Sequence, residues 1–204
     1  MKMRHLAAAV LGLAFATTAV AGQDKTAAPP RMNAEQKAMM EAWQKAATPG
    51  EKHKQLIAEF EGTWDTKMQA WMDPSAPPMV ETGKSVNTAI FGGRQLRMEY
   101  TGTFMGQPFE GVGYTGFNNV TGKYFSTWTD NMSTGLFLAE GDYDPATKSY
   151  TYRAQMPDPM ESGATIPVRE VVRIVDKDHV AFEMYETRDG KELKTMQIDY
   201  TRAK

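Results

Sequence analysis

The chain has 204 residues, no cysteine, and 23 basic side chains against 25 acidic ones, which gives a net charge of −2. The absence of cysteine excludes disulfides, thiolate metal sites and a cysteine nucleophile. A mildly acidic chain without a basic run also gives no electrostatic reason to expect binding of nucleic acid.

The first 21 residues have the pattern of a secretory signal peptide. Lys2 and Arg4 precede an apolar run from Leu6 to Val20, and Ala19-Val20-Ala21 supplies an A-x-A cleavage site. The run is shorter than the roughly 20 apolar residues of a membrane-spanning helix. Cleavage after Ala21 would leave 21 basic and 25 acidic residues, a net charge of −4. We therefore expect an exported protein, periplasmic or secreted, with no transmembrane segment after cleavage.

A flexible leader and a first helix are predicted next. Residues 22–32 contain Ala27-Ala28-Pro29-Pro30 and read as the leader, and a helical segment is expected over residues 33–60. Asn33-Ala34-Glu35-Gln36 resembles a capping box, after which Met39, Met40, Trp43 and Ala47 repeat at helical spacing.

A second short helix is predicted from Thr48-Pro49-Gly50-Glu51, with Thr48 as the cap and Pro49 at the first helical position. Its apolar stripe consists of His53, Leu56, Ile57 and Phe60. Because both helices are short and amphipathic, we expect each of them to lie against an apolar surface of the remaining chain.

From Gly62 onward the hydrophobic period becomes two, which predicts β-strands. Stretches rich in Gly, Pro, Asn and Asp separate ten candidate strands, at 63–72, 79–91, 94–104, 108–118, 123–131, 135–143, 148–156, 166–176, 179–188 and 193–202. The connections are too short for the helical crossovers of parallel strands, so an antiparallel up-and-down meander is expected. An open sheet of ten strands would leave two long edges, which favours a closed barrel over residues 61–204 and a mainly β fold.

Several stretches resemble the domain-of-unknown-function family 1579 over residues 35–202. In chain order they are Thr48-Pro49-Gly50-x-x-His53-x-x-Leu56, Gly62-Thr63-Trp64, Gly92-Gly93-Arg94, Pro108-Phe109-x-Gly111, Tyr124-x-x-x-Trp128-x-Asp130 and Ser133-Thr134. The resemblance implies a calycin, or lipocalin-like, barrel. Gly62 and Trp64 at the first strand are similar to the lipocalin Gly-x-Trp signature, in which a basic residue near the last strand packs over the tryptophan, and Arg202 matches that residue. The family has no established activity, so the resemblance bears on the fold alone.

His53 is a candidate site residue, because its position on the apolar stripe should turn it towards the barrel. It could act as an acid or base, ligate a metal or haem, or donate a hydrogen bond to a ligand. The alternative is a partly buried histidine that ties the helix to the sheet. His179 follows a turn and is expected to be exposed. Two distant histidines without a metal-binding spacing predict no metal site, and no cofactor is predicted.

Trp128, Asp130 and Arg94 are the other candidates. Trp128 and Asp130 share one strand face, where a carboxylate beside an indole could orient the polar head of a ligand. Alternatively, Asp130 builds the following turn through hydrogen bonds to the backbone. Arg94 shares a predicted strand face with Leu96, which would aim it inward and require a partner such as Asp130, Glu140 or a ligand carboxylate.

Catalytic and metal patterns are weak. Ser133, His53 and Asp130 are the residue types of a catalytic triad, but the sequence has no nucleophile elbow and no oxyanion-hole pattern. Methionines are numerous and scattered, which indicates adaptable filling of a core or pocket.

The sequence favours a barrel that binds a small apolar or amphipathic molecule, with His53, Arg94, Trp128 and Asp130 as candidate contacts. One alternative is an enzyme that acts on a small hydrophobic substrate in the same cavity, with His53 as general base supported by Asp130 or Glu99. The other is an envelope interaction module whose barrel is filled by its own side chains. The sequence leaves the oligomeric state open.

Overall fold

A computed structural model describes residues 32–204. The predicted signal peptide, and the predicted leader apart from Met32, lie outside the described residues. Within residues 32–204, no helix has both the length and the apolar character needed to cross a bilayer.

Two helices precede the sheet, α1 (Ala34–Ala47) and α2 (Glu51–Phe60). α1 begins with the predicted capping box: the Asn33 side chain accepts a hydrogen bond from the Gln36 N–H at 2.8 Å, and the Gln36 side chain accepts one from the Asn33 N–H at 2.9 Å. The predicted start of α2 is wrong by two residues, since Gly50 is its N-cap. Thr48 instead ends α1, where its hydroxyl donates to the Gln44 carbonyl at 2.6 Å.

The ten predicted strands are present, each within two residues of its predicted bounds. They are β1 (Gly62–Ala70), β2 (Met79–Ile90), β3 (Gln95–Phe104), β4 (Gln107–Asn118), β5 (Lys123–Asp130), β6 (Phe137–Asp144), β7 (Ser149–Pro157), β8 (Thr165–Ile174), β9 (His179–Arg188) and β10 (Lys191–Arg202). Each strand pairs antiparallel with its neighbour in the chain, and β10 pairs with β1. The predicted fold, a closed up-and-down antiparallel barrel of ten strands with two N-terminal helices, is confirmed.

The barrel has two different ends. α2 lies at the end that carries the β2–β3 and β4–β5 turns, where Ile57 contacts Gly93 and the His53 ring meets Phe117 edge-on at 5.7 Å. We call this the closed end. The opposite end carries the β1–β2, β3–β4, β5–β6, β7–β8 and β9–β10 loops, and neither of the two described helices covers it. We call this the open end.

The main apolar core fills the closed end. It consists of Leu56, Leu96, Tyr124, Ala139, Tyr150 and Tyr152, with Ile57 and Phe60 packed against it. The predicted apolar stripe of α2 is therefore the face that plugs the barrel. Burial of one aliphatic side chain such as Leu56 contributes about 1.5–3 kcal/mol to the stability of this plug.

α1 does not pack on the barrel. No residue of α1 is buried, and Trp43 on its apolar side is 69% exposed. The expectation that both helices lie against an apolar surface is therefore wrong for α1 within the described residues. Side chains at the closed end hold only its last turn, where Asn119 donates to the Ala46 carbonyl at 3.1 Å and Arg94 to the Ala47 carbonyl at 2.8 Å.

Arg202 lies over Trp64 at the closed end, with its Cζ 4.1 Å from the ring centroid. Its Nη1 donates to the Glu61 carbonyl at 2.6 Å, and the Trp64 indole donates to the Phe60 carbonyl at 2.9 Å. Gly62 has a φ of 124°, and a Cβ there would lie 2.8 Å from Arg202 Nη1. Only glycine combines this backbone conformation with this close approach. The three signature residues thus join the first strand, the last strand and the end of α2.

Candidate functional site

Every second side chain of a strand points into the barrel interior, which we call the lumen. Met68, Tyr100, Ile166, Val168 and Ile198 are buried and apolar or aromatic on this inner face. The inner face therefore provides an apolar wall of mixed aliphatic, aromatic and methionine character.

Inner side chains towards the open end are more exposed than those of the core at the closed end. Phe109, Trp128, Phe137, Met156 and Met184 are half-buried there. The strand pairing places these five residues on the inner face of the barrel. Their exposed surface therefore faces the lumen or its mouth. The barrel is thus plugged by α2 at the closed end, whereas its inner side chains are partly exposed towards the open end.

Glu170 is the only buried carboxylic acid among the described residues, with 8% of its surface exposed. It lies on the inner face of β8 between Val168 and Val172, and its neighbours in register are Tyr152 on β7 and Met184 on β9. Burial raises the pKa of its carboxyl to about 7, and no hydrogen bond or charge of a described residue counteracts that rise. A carboxyl group without a partner inside an apolar wall is the most unusual polar feature of the lumen.

The sequence analysis missed Glu170, although a signal for it exists. Ile166, Val168, Val172 and Ile174 alternate along β8 as an apolar inner face, and Glu170 takes the middle position of that series. An acid on an otherwise apolar face of a predicted strand indicates a buried charge that requires a partner.

Two phenol groups share the inner face with Glu170: Tyr152 is its register neighbour on β7, and Tyr200 lies on β10. Burial raises the pKa of both Tyr152 and Tyr200, and the charge of Glu170 raises each of them further. For Tyr200, the neighbouring Tyr100 has a larger effect on the pKa than Glu170 has. Neither hydroxyl forms a hydrogen bond with another described side chain or backbone group. Tyr152 on β7, Glu170 on β8 and Tyr200 on β10 therefore place polar groups on the inner face that form no hydrogen bond with a described residue.

Trp128 and Asp130 lie at the open end and contact each other. The Trp128 indole donates to Asp130 Oδ2 at 2.8 Å, while Oδ1 accepts the Met132 N–H at 2.9 Å. Gly111 allows the indole to lie flat on β4, because a Cβ there would be 2.2 Å from the ring. Asp130 thus orients the indole and also builds the turn, in line with the turn interpretation. A contact of Asp130 with the polar head of a ligand stays a prediction.

His53 is buried at the closed end. Its Nδ1 accepts the Gly50 N–H at 3.1 Å, and its ring meets the Phe117 ring edge-on at 5.7 Å. Burial lowers the pKa of His53, and the nearby charge of Arg94 lowers it further. The hydrogen bond to Gly50 and the contact with Phe117 hold α2 to the turn before it and to β4, which favours the structural interpretation.

Arg94 does not point into the lumen as expected. It lies in the turn before β3, where Nε donates to the Ala47 carbonyl at 2.8 Å and Nη1 to the Phe91 carbonyl at 2.7 Å. The prediction of an acidic partner for Arg94 is wrong, because two backbone carbonyls accept its hydrogen bonds instead. Arg94 has no ion pair with any described residue, and its acceptors come from the end of α1 and from the β2–β3 turn.

The four predicted contacts do not form one site. His53 and Arg94 lie at the closed end, whereas Trp128 and Asp130 lie at the open end. Glu99, the other predicted support for His53, is on the outer face of β3 and pairs with Arg97 at 2.8 Å. The structure therefore brings neither predicted carboxylate to His53.

Neither the potential metal ligands nor the depressions on the outer surface indicate a functional site among the described residues. The described residues contain no group of three or more His, Cys, Asp or Glu side chains that could hold a metal ion. His179 is exposed, as predicted, and lies 2.8 Å from Asp176. Depressions of about 570 and 600 Å³ lie on the outer surface at the closed end, one beside the C-terminus and one beside the end of α1. No side chain from the middle of the lumen lines either of them, so the unsatisfied groups of the inner face place the candidate site in the lumen instead.

Comparisons with known proteins agree with this architecture. A family model described as "Protein of unknown function (DUF1579)" matches residues 48–202. The crystal structure of Rv2717c from M. tuberculosis is similar over 74% of this chain and 98% of its own, with a TM-score of 0.55 and 14% identity. This likeness concerns the barrel fold alone.

Two engineered barrels also align with the chain. A de novo designed fluorescence-activating β-barrel has 12% identity over 72% of this chain and 97% of its own, with a TM-score of 0.41. A redesigned β-barrel has 14% identity over 78% of this chain and 96% of its own, with a TM-score of 0.37. A search of curated proteins finds no match.

Proposed function

The chain belongs to the DUF1579 family of proteins of unknown function, and from that premise we propose that it binds a small apolar or amphipathic molecule in its lumen. The observation that carries this proposal is the composition of the inner face. An apolar and aromatic wall surrounds a few polar groups, among them Glu170, that have no protein partner. Small-molecule sites in proteins have this composition.

Access through the open end supports the proposal. The tips of its loops expose Met72, Met105, Met132, Leu136 and Met160 to solvent. Four of the five loops at this end carry at least one of them. Flexible, polarisable methionine side chains adapt to apolar surfaces of different shape. An apolar rim at the accessible mouth suits the entry of an apolar molecule.

The alternatives receive less support. The enzyme hypothesis needs His53 beside a carboxylate, and both predicted carboxylates lie elsewhere. The main apolar core at the closed end supports the filled-barrel hypothesis for that end. It does not explain the half-buried side chains of the inner face near the open end.

A titration with the neutral fluorescent probe N-phenyl-1-naphthylamine tests the proposal. We expect saturable binding to the wild type and at least a tenfold loss in Met184→Trp, because the larger side chain occupies the lumen. Val86→Trp, on the exposed outer face of β2, is the matched control and should bind as the wild type does. Equal binding by the two variants, with circular dichroism spectra like that of the wild type, would place the probe outside the lumen.

We also propose that the chain is exported to the periplasm or beyond it. The support is the basic, apolar and A-x-A pattern of residues 1–21. Expression of the full chain in a Gram-negative host should yield a periplasmic protein whose N-terminal residue, read by mass spectrometry, is Gly22. An intact Met1 on a protein found only in the cytoplasm would contradict this.

A further inference from the structure

We infer that Glu170 anchors the polar head of the lumen ligand, and that the preferred ligand is an amphipath whose head is a primary ammonium group. This inference rests on the proposed lumen-binding function and names the chemical class of the ligand. The proposed anchor lies on β8, which carries none of the four ligand contacts predicted from the sequence.

The first argument is the lack of a partner for a buried carboxyl group. Glu170 is more than nine-tenths buried and points into the lumen, and no described residue bonds to it. Folded proteins satisfy nearly all buried polar side chains, because an unsatisfied one costs the free energy of its desolvation. A ligand that brings the missing partner recovers that free energy on binding.

The second argument is the sign of the charge around Glu170. The neighbouring basic residues of β8, Arg169 and Arg173, alternate with Glu170 and point outward, where Arg169 pairs with Glu192 at 2.6 Å. Arg188, at the end of β9, is already paired with Glu186 at 3.0 Å and with an acid of the β7–β8 loop. Since no described cation neutralises Glu170, a cationic head is favoured and a ligand carboxylate would be repelled.

The third argument is the number of acceptors on the inner face, where Tyr152 lies opposite Glu170 and Tyr200 lies on β10. A primary ammonium group has three N–H donors and no acceptor. Glu170 and the phenol oxygens of Tyr152 and Tyr200 provide acceptors on three strands, and none of these groups is used by another described residue. The hydroxyls stay protonated at neutral pH because burial raises the pKa of both tyrosines, so they can orient the head but cannot neutralise it.

Binding of such a ligand should depend on pH through Glu170. The facing titratable groups are Tyr152 on β7, Tyr200 on β10 and Glu186 on β9, and Glu186 is held by Arg188. With the pKa of Glu170 at about 7, about 1% of the carboxyl groups are ionised at pH 5 and about 90% at pH 8. The affinity for an amine should therefore rise more than tenfold between these pH values.

The experiment compares three compounds with the same twelve-carbon chain and different heads. Dodecylamine, dodecanol and dodecanoate compete with N-phenyl-1-naphthylamine at pH 8 and at pH 5, each below its micelle concentration. At pH 8 we expect dodecylamine to bind at least ten times more tightly than dodecanoate, with a smaller preference at pH 5. This wild-type comparison is informative whether or not any variant folds.

Glu170→Gln keeps the shape of the side chain and removes its charge. We expect it to bind the probe and dodecanol normally, and to lose both the preference for the amine and its pH dependence. Glu140→Gln, on the exposed outer face of β6, is the matched control and should keep both.

The possible outcomes separate the two proposals. If the three compounds compete equally in the wild type, or if Glu170→Gln keeps the preference for the amine, the lumen binds ligands but Glu170 is not their anchor. If neither the probe nor any of the three compounds binds the wild type, the lumen-binding function fails, and the anchor fails with it.

Discussion

Replacement of Glu170 by Gln should stabilise the folded protein at neutral and alkaline pH. Folding raises the pKa of the Glu170 carboxyl from its ordinary value of 4.5 to about 7, because burial removes its water. Below pH 4.5 the carboxyl is protonated in the folded and the unfolded chain, so it has no effect on stability. Between pH 4.5 and 7 the unfolded chain loses the proton more readily, and stability falls as the pH rises.

The size of this effect follows from the two pKa values. The difference between 4.5 and about 7, at about 1.4 kcal/mol per pKa unit, corresponds to about 3 kcal/mol of stability lost by pH 8. Gln cannot ionise, so the variant lacks this loss. Any fixed cost of burying the Gln amide is the same at both pH values and cancels when the two are compared.

Urea unfolding followed by tryptophan fluorescence at pH 4 and pH 8 measures this difference. At pH 8, we expect the free energy of unfolding of Glu170→Gln to exceed that of the wild type by about 3 kcal/mol more than it does at pH 4. The variant is therefore relatively more stable at pH 8. Glu140→Gln, which changes an exposed acid on the outer face, should show no such change. A pH-dependent difference below about 1 kcal/mol for Glu170→Gln would refute the burial of an unpaired carboxyl.

Three further predictions concern residues found by the sequence analysis. Burial lowers the pKa of His53, so the wild type should lose stability relative to His53→Gln as the pH falls below 6.5, and urea unfolding between pH 7.5 and 5 would show it. Gly62→Ala should destabilise by about 1–3 kcal/mol, because its φ is 124° and the new Cβ would meet Arg202; Gly135→Ala, which has room, is the control in thermal unfolding. Asp130→Ala should cost about 1–3 kcal/mol in urea unfolding, since it removes the acceptor of the Trp128 indole; an unchanged stability would show that this hydrogen bond contributes nothing.

The strands were predictable because their signals are local. Alternation with period two and turn residues such as those between β4 and β5 act over a few neighbouring positions. The capping box of α1 is equally local, since Asn33 and Gln36 are three residues apart. Such patterns predict the local structure independently of residues that are distant in the sequence.

The start of α2 was mispredicted because two helices compete for one residue. Thr48 has the chemistry of a cap for the helix that follows, but its hydroxyl donates to the Gln44 carbonyl of the helix before it. Gly50 then becomes the N-cap, and the His53 side chain accepts its N–H. A local pattern cannot show which of two adjacent helices uses a shared residue.

The candidate site depended on contacts between distant strands. The alternation of β8 places Glu170 on an apolar face, and that much is visible in the sequence. Whether a cation from another strand faces it depends on the register that brings Tyr152 and Met184 beside it. That register left the carboxyl unpaired. The packing of α2 at the closed end separated His53 from Asp130, which ends β5 at the open end.

Local signals were sufficient to define the ten strands, their turns and the expectation of a closed antiparallel barrel, because hydrophobic period and turn chemistry act between near neighbours. Long-range packing settled which end of the barrel α2 plugs, that α1 stays off the sheet, and which polar groups of the inner face lack a partner. The physical reason is that burial and pairing of a side chain depend on residues up to 143 positions apart, as in the contact of Arg202 with Glu59.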